Sequence, residues 1–271
     1  MDHSRKFRLQ HARDVLMTEF TSVFDSWAAA YEAMIDWPKR LAYEAPFLQR
    51  QFEAVGARRV LDAACGSGRH AEMFFRWGLE VEGADLSPAM IAEAQRRCPE
   101  SPRLRWRVRD LRQPAAVPGE FDAAVCLGNS LALLPDEQAV VESLRSLWDA
   151  IRPGGRLIVQ AINVERLPDG PPQWQKCVRA SLPQGERMLV KGVQRCGERA
   201  FVHLIAAALD PRLHWESTCS ELLTLDARRW RDLISQLPGA ICSLYGNYEG
   251  HPFQPETSPD VILAADKDIG G

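Results

Sequence analysis

The residues best suited to chemistry gather where an apolar run meets a pair of glycines. Val60-Leu61-Asp62-Ala63-Ala64-Cys65 runs into Gly66-Ser67-Gly68 and then into a helical stretch. Two glycines at that point let the backbone approach a ligand at a helix N-terminus. Gly66-x-Gly68-x-x-Ala71 also fits the dinucleotide fingerprint, and Asp85 lies near the spacing of the acid that takes ribose hydroxyls, so a nicotinamide dehydrogenase is one reading. Three features weigh against it. Asp62 puts a carboxylate where it would repel a pyrophosphate but suit a cationic amino or sulfonium group. Asp110, in Arg109-Asp110-Leu111, stands where it can accept a hydrogen bond from an adenine amino group. No Tyr-x-x-x-Lys occurs, so one familiar reductase proton relay is missing.

Such residues need strand ends to hold them. From Arg59 onward strand-like and helix-like stretches alternate, a pattern that demands a parallel sheet with helices on both faces. Val60 to Cys65 reads as the first strand and Arg69 to Trp77 as a helix ended by Gly78. Glu80 to Leu86 is the second strand, followed by a helix with Ser87 as N-cap and Pro88 at its first position. Arg103 to Asp110 and Phe121 to Leu127 are the third and fourth strands. Asp136 to Ile151 is a helix stopped by Pro153-Gly154-Gly155, and Arg156 to Ile162 is the fifth strand. The period then changes. Arg187 to Cys196, Ala200 to Leu209 and His214 to Leu223 read as successive strands with turns at Cys196-Gly197-Glu198 and Asp210-Pro211-Arg212, and such short connections demand antiparallel pairing. A helix over Asp226 to Leu237 and strands over Ala240 to Tyr245 and Asp260 to Ala265 fit a return to the first sheet. Ahead of everything, Thr21 to Phe52 reads as helical, broken at Trp37-Pro38, with aromatic residues that suit a cap over a pocket.

The expected fold is α/β: a Rossmann-like, doubly wound, seven-stranded sheet with an N-terminal helical cap and an inserted antiparallel β-meander. Residues 1–55 form the cap or lid, 56–165 the ligand-binding core, 166–223 an insertion covering the substrate, and 224–271 the completion of the core.

The stretch from Arg59 to Ile162 resembles the class I S-adenosylmethionine (SAM)-dependent methyltransferases. The likeness covers the glycine loop, Asp85, Asp110, the strand Phe121 to Ser130 and the Arg152-Pro153-Gly154-Gly155 turn. Within that superfamily, Cys126-Leu127-Gly128-Asn129-Ser130-Leu131-Ala132 and the inserted strands are similar to the glycine and sarcosine N-methyltransferase group. The resemblance implies SAM as cofactor, with Gly66 and Gly68 at its methionine part, Asp85 at the ribose, Asp110 at the adenine, and Leu127 and Gly128 around the sulfonium. Arg40 is expected to clamp the methionine carboxylate, and Asp62, Ala64, Leu86, Met90 and Leu111 complete the cofactor-binding set.

For the acceptor, Asn129 beside the methyl donor is a candidate orienting group, and His203 and His251 are candidate bases if an oxygen has to be deprotonated. Trp27, Tyr31, Arg166, Tyr245 and Tyr248, together with Asn129, are expected to hold the substrate. The glycine-methylating enzymes carry an arginine just after the fifth strand, where Ile162 stands here, and an apolar side chain cannot replace a charge-assisted pair. Glycine is therefore expected to be a poor substrate, and the acceptor larger, less acidic and held partly by aromatic residues of the insertion, unless a loop shift brings Arg166 to the same place. The working reading is transfer of a methyl group to an amine nitrogen of a small molecule. O-methylation of a natural product, and a SAM-binding sensor without catalysis, are the alternatives.

At 271 residues with 46% hydrophobic residues, 25% charged residues and a net charge of -3, the composition is that of a soluble globular protein and implies no polyanion as main partner. Arg103, Arg105, Arg107 and Arg109 alternate along one strand, and their expected role is to guard a sheet edge rather than to bind nucleic acid. The seven cysteines are never spaced as C-x-x-C, and no residue cluster suggests a metal. Met1 to Phe20 contains no apolar run like that of a signal peptide, and no stretch is long enough to span a membrane, so a cytoplasmic protein without membrane partners is expected, with homo-oligomerisation left open.

Overall fold

The computed structural model describes residues 27–115, 117–209 and 214–270. The expected start of the N-terminal helix at Thr21, the leader reading of Met1 to Phe20 and the turn at Asp210-Pro211-Arg212 lie outside the described residues. Residues 27–34 are helical, and a break follows. It falls just ahead of Trp37: Asp36 caps helix α1 (Trp37–Ala54), its carboxylate accepting the Lys39 N–H at 3.2 Å, and Pro38 sits in the first turn where it costs no hydrogen bond.

Strands β1 (Arg59–Ala63), β2 (Glu80–Asp85), β3 (Leu104–Val108), β4 (Phe121–Cys126) and β5 (Ile151–Ile162) are parallel. β10 (Ala240–Tyr245) and β11 (Asp260–Lys267) close the sheet in the order β10-β11-β5-β4-β1-β2-β3, with β11 antiparallel to both of its neighbours. The central strands are apolar runs because helices cover both of their faces. One face packs Phe121, Leu144, Leu147, Trp148 and Trp230, and the other packs Phe47, Leu48, Phe74, Leu104 and Ile262. Helices α2 (Arg69–Arg76), α3 (Pro88–Arg97), α4 (Glu137–Ala150) and α5 (Ala227–Ser235) are the covers. Ser87, Asp136 and Asp226 cap α3, α4 and α5, each side-chain oxygen accepting the N–H three residues on. The strand order reverses between β1 and β4, which opens a crevice at their carboxyl ends.

β3 is one of the two edge strands of this sheet, and the arginines along it and just past its end are paired. Arg105 reaches Glu120 at 2.7 Å, Arg107 reaches Glu100 at 3.2 Å and Arg109 reaches Glu82 at 2.7 Å.

The second sheet has four antiparallel strands where the sequence suggests three: β6 (Gln173–Leu182), β7 (Gly185–Cys196), β8 (Arg199–Ala208) and β9 (Trp215–Leu222). β6 escapes a sequence reading because it is an edge strand with Gln173, Gln175, Lys176 and Arg179 among its residues, which blunts its hydrophobic alternation. Its inward apolar residues Val178, Ala180 and Leu182 pack with Leu189 and Leu204 against Trp27, Ala30 and Met34. The residue 27–34 helix and the inserted sheet thus share one apolar seam.

Candidate active site

The crevice between β1 and β4 opens into two small cavities that share Tyr31, Ala64, Gly66, Gly128 and Ser130. One, of about 140 Å³, is lined by Asp85, Leu86, Met90, Asp110, Leu111, Leu133 and Leu134 in addition to the shared residues. The other, of about 50 Å³, adds Arg40, Asp62, His70 and Leu127. Both acids at the strand ends are fixed by backbone donors. Asp85 accepts the Gly66 N–H at 2.7 Å and the Ser87 N–H at 2.9 Å. Asp110 accepts the Arg112 N–H at 2.9 Å and pairs with the Arg112 guanidinium at 2.6 Å. Burial alone would raise the Asp110 pKa, but these bonds hold it below the ordinary carboxylate range.

The smaller cavity carries the stronger electrostatics. Asp62 is buried on β1 and accepts the Ala71 N–H at 2.9 Å, so one backbone donor of α2 is satisfied there. Desolvation pushes its pKa up to about 6, against the pull of His70 and Arg40. Arg40 pairs with the buried Glu44 at 2.8 Å, and Glu44 reaches His70 Nε2 at 2.5 Å. Burial pushes the Glu44 pKa up, yet His70 and Arg40 together bring it below its usual value. An acid and a base therefore face the cavity side by side, suited to a zwitterionic amino-acid group. The other cavity offers carboxylates and flat apolar walls, suited to ribose and a heterocycle. The residues present fit SAM on these grounds.

A third cavity, of about 590 Å³, lies above the sheet between α1, the residue 27–34 helix and the inserted strands. It meets the other two at Tyr31 and Gly128, which line all three. Gly128 has φ +75°, and a Cβ built there would stand 3.8 Å from Arg40 Nη2 and 3.9 Å from the Tyr31 hydroxyl, so those groups roof the passage. Tyr31 is held in place through its neighbour Glu32, which pairs with Arg69 at 2.7 Å and accepts the Ser67 hydroxyl. On the floor, Gln160 accepts the Gly128 N–H at 2.8 Å and donates to Asp260 at 2.7 Å. Burial pushes the Asp260 pKa up to about 6 even though the Gln160 amide favours the ionised form.

Of the residues singled out in the sequence, Arg40, Asp62, Ala64, Gly66, Asp85, Leu86, Met90, Asp110, Leu111, Leu127 and Gly128 line the two small cavities. Gly68 does not. It stands with φ +78° over the Trp106 ring, and a Cβ there would meet that ring at 2.4 Å, so this glycine makes room for helix–sheet packing. Trp27, Tyr31, Asn129 and Tyr248 line the large cavity. Asn129 has φ +71°, and its Oδ1 accepts the Ile162 N–H at 2.5 Å, so this side chain ties β4 to the end of β5.

Four expected residues lie elsewhere. Strand alternation sends Val202 and Leu204 into the cavity and turns His203 to the opposite face, where it meets Gln194 at 2.9 Å. His251 is exposed and held by Asn247 and Glu249. Tyr245 packs on Phe47 with ring centroids 5.2 Å apart. Arg166 is exposed and lines no part of the cavity, although its charge is felt at Asp260. Nor does the insertion present aromatic residues to the cavity: it contributes Lys176, Lys191, Val202, Leu204, Thr218, Ser220 and Leu222.

Sequence reasoning also passed over Glu32, Glu44, Gln160, Lys191 and Asp260. Gln160 was the most legible of them, a polar residue inside the apolar run of β5, where burial demands a partner.

Residues 60–155 match the methyltransferase domain family. A glycine/sarcosine N-methyltransferase of Parasynechococcus marenigrum is 34% identical over 168 residues, 59% of this chain and 55% of that protein. A ubiquinone biosynthesis O-methyltransferase of Xanthomonas euvesicatoria is 34% identical over 128 residues, covering 46% of this chain and 50% of that protein. The chain thus spans about half the length of these relatives. Among solved structures, a SAM-bound amino pentose methyltransferase of Micromonospora echinaspora superposes with a TM-score of 0.68 at 23% identity, covering 89% of this chain and 96% of that one. The matched segment carries β1 to β4 with the glycine loop, Asp85 and Asp110, and the fold shared with the SAM-bound methyltransferase extends over most of the chain: residues 60–155 match a methyltransferase domain.

Proposed function

We propose that this chain methylates the nitrogen of a small amine held in the 590 Å³ cavity, with SAM in the crevice beneath it. In this reading Arg40 and Asp62 hold the amino-acid end of SAM, Asp85 the ribose and Asp110 the adenine, with Leu86, Met90 and Leu111 as apolar walls. When bound, SAM supplies a methyl group already activated by the sulfonium, whose bonding pair stays on sulfur as the group leaves. Tyr31 and Gly128 frame the passage through which the acceptor nitrogen approaches in line, and the surrounding side chains exclude water. Residues 27–54 and the inserted sheet serve as the acceptor's cover. The names of the relatives, a glycine/sarcosine N-methyltransferase and an amino pentose methyltransferase, support an amine.

The observation that carries the choice of nitrogen is Asp260, a carboxylate lining the large cavity and tied through Gln160 to the Gly128 N–H. An incoming ammonium can pair with it. A carboxylate whose proton affinity is raised by burial is also suited to take the proton that the nitrogen must shed, on its way to solvent, before the lone pair attacks. A hydroxyl acceptor would need a base matched to a much weaker acid, and none of the described histidines lines this cavity. The test is a mass-spectrometric screen of purified protein with SAM, primary amines and their matched alcohols. Amines should gain one methyl group and alcohols none. Asp260→Asn should lower kcat by about tenfold or more while leaving the affinity for the demethylated donor unchanged. Methylated alcohols beside silent amines, or full turnover in Asp260→Asn, would refute the reading.

A further inference from the structure

The inserted wall of the large cavity carries an uncommon juxtaposition. Lys176 on β6 and Lys191 on β7 are direct Cα partners in the antiparallel ladder, and both line the cavity. Like charges placed directly opposite one another on a strand pair repel and destabilise the sheet. The Lys176 ammonium donates to the Met34 carbonyl at 3.2 Å, and the Lys191 ammonium has no hydrogen bond or ion pair among the described residues. The acids near the pair are engaged elsewhere: Asp36 caps α1, Glu44 is bound by Arg40 and His70, and Asp260 is bonded to Gln160. Arg40 adds a third positive charge to the same space.

We propose that Lys191 and Lys176 form an anion-binding subsite that grips a carboxylate or phosphate at the far end of the acceptor, while its amine lies near Asp260. The inference rests on the reading of the large cavity as the acceptor site. A bound anion relieves the repulsion between the two ammonium groups and gives Lys191 its missing partner, with charge-assisted bonds that a neutral group cannot match. Burial, with help from Lys176 and Arg40, lowers the Lys191 pKa to about 8, so the ammonium form persists at neutral pH yet is poised to gain from an opposite charge. The acceptor is then not the less acidic molecule suggested by Ile162. Its negative charge is held from the inserted sheet instead of from the end of β5. The cavity of about 590 Å³ leaves room for an amine and an anion well separated from each other.

Lys191 can be followed directly by its acylation with dilute acetic anhydride, read peptide by peptide by mass spectrometry. Lys267, at the other end of β11 and bonded to the Trp148 and Ile151 carbonyls, serves as internal reference. Inorganic phosphate and butyrate are the probes, and the two arms distinguish a phosphate-bearing from a carboxylate-bearing acceptor. At least one should slow Lys191 labelling about tenfold relative to Lys267, and Lys176→Met should abolish most of that protection. Labelling of Lys191 that neither anion changes, or protection that survives intact in Lys176→Met, would overturn the subsite. Calorimetry with the demethylated donor on the same samples separates the two claims. If the donor fails to bind, the methyltransferase reading falls; if it binds while Lys191 stays unprotected, only the subsite falls.

Discussion

Two glycines separated by a single residue should respond quite differently to the same substitution. Gly66 and Gly68 both have positive φ, +54° and +78°, so alanine at either position incurs the left-handed penalty of roughly 1–2 kcal/mol. There the likeness ends. A Cβ on Gly66 meets nothing within 4 Å, whereas one on Gly68 would stand 2.4 and 2.6 Å from the Trp106 ring and 2.9 Å from the Ala94 Cβ. The ring cannot retreat, because Gly83 holds it equally closely from the strand side, at 2.4 Å from a built Cβ. Overpacking of this kind adds about 1–3 kcal/mol. Gly68→Ala should therefore melt below Gly66→Ala by several degrees, at roughly 2–4 °C per kcal/mol for a domain of this size. The order reverses for ligand binding. Gly66 lines both small cavities and Gly68 neither, so calorimetry with the demethylated donor should show the larger loss in Gly66→Ala. If Gly68→Ala melts no lower than Gly66→Ala and loses as much donor affinity, the assignment of Gly68 to packing is wrong.

Other substitutions probe the remaining contacts. The Asp62 pKa is raised to about 6 from an ordinary 3.8, so its contribution favours the folded state when protonated and is lost as pH rises through 6. Asp62→Asn should accordingly raise the urea midpoint of the ligand-free protein at pH 8, with the gain vanishing toward pH 4; a gain that grows on acidification would reverse the sign of this argument. Gln160→Leu strips the Gly128 N–H and the Asp260 carboxylate of a partner each, and thermal melts should show a loss of about 1–3 kcal/mol, contradicted by an unchanged midpoint. His203→Ala and His251→Ala should leave methyl-transfer rates within about twofold of the parent, as expected of side chains making no contact with reacting groups; a collapse in either would return a histidine to the chemistry.

The residues lining the crevice were legible in the sequence because they are local. Asp62, Gly66, Asp85 and Asp110 stand at strand ends that periodicity alone locates, and the strand order places those ends together. The large cavity was not, because long-range register builds it. Whether His203 or its neighbours Val202 and Leu204 face inward depends on the alternation of β8 relative to a helix some 170 residues upstream, and a one-residue difference in phase exchanges the two faces. Lys176 and Lys191 become partners only once β6 is recognised as a strand, and its charged edge conceals it. Asp260 reaches the site only through the antiparallel return of β11 beside β5.

On the proposed reading, the placement of the insertion follows from the donor's own position. A ligand lying across the carboxyl ends of β1, β2 and β4 covers those strand ends, so the sheet can offer an acceptor only what projects beyond them, here Gly128, Asn129, Gln160 and Asp260. The opposite wall must come from elsewhere in the chain, and it must be stiff, because in-line attack tolerates little misplacement of the nucleophile. An isolated hairpin would not hold such geometry; four strands with an apolar face packed on a helix can. The seam of Trp27, Ala30 and Met34 on Leu189, Val178 and Leu204 provides that packing, while Glu32 fastens the same helix to Arg69 and Ser67 of the glycine loop. One short helix thereby registers the wall of the large cavity against the glycine loop, and Tyr31, between the seam residues and beside Glu32, stands where the three cavities meet.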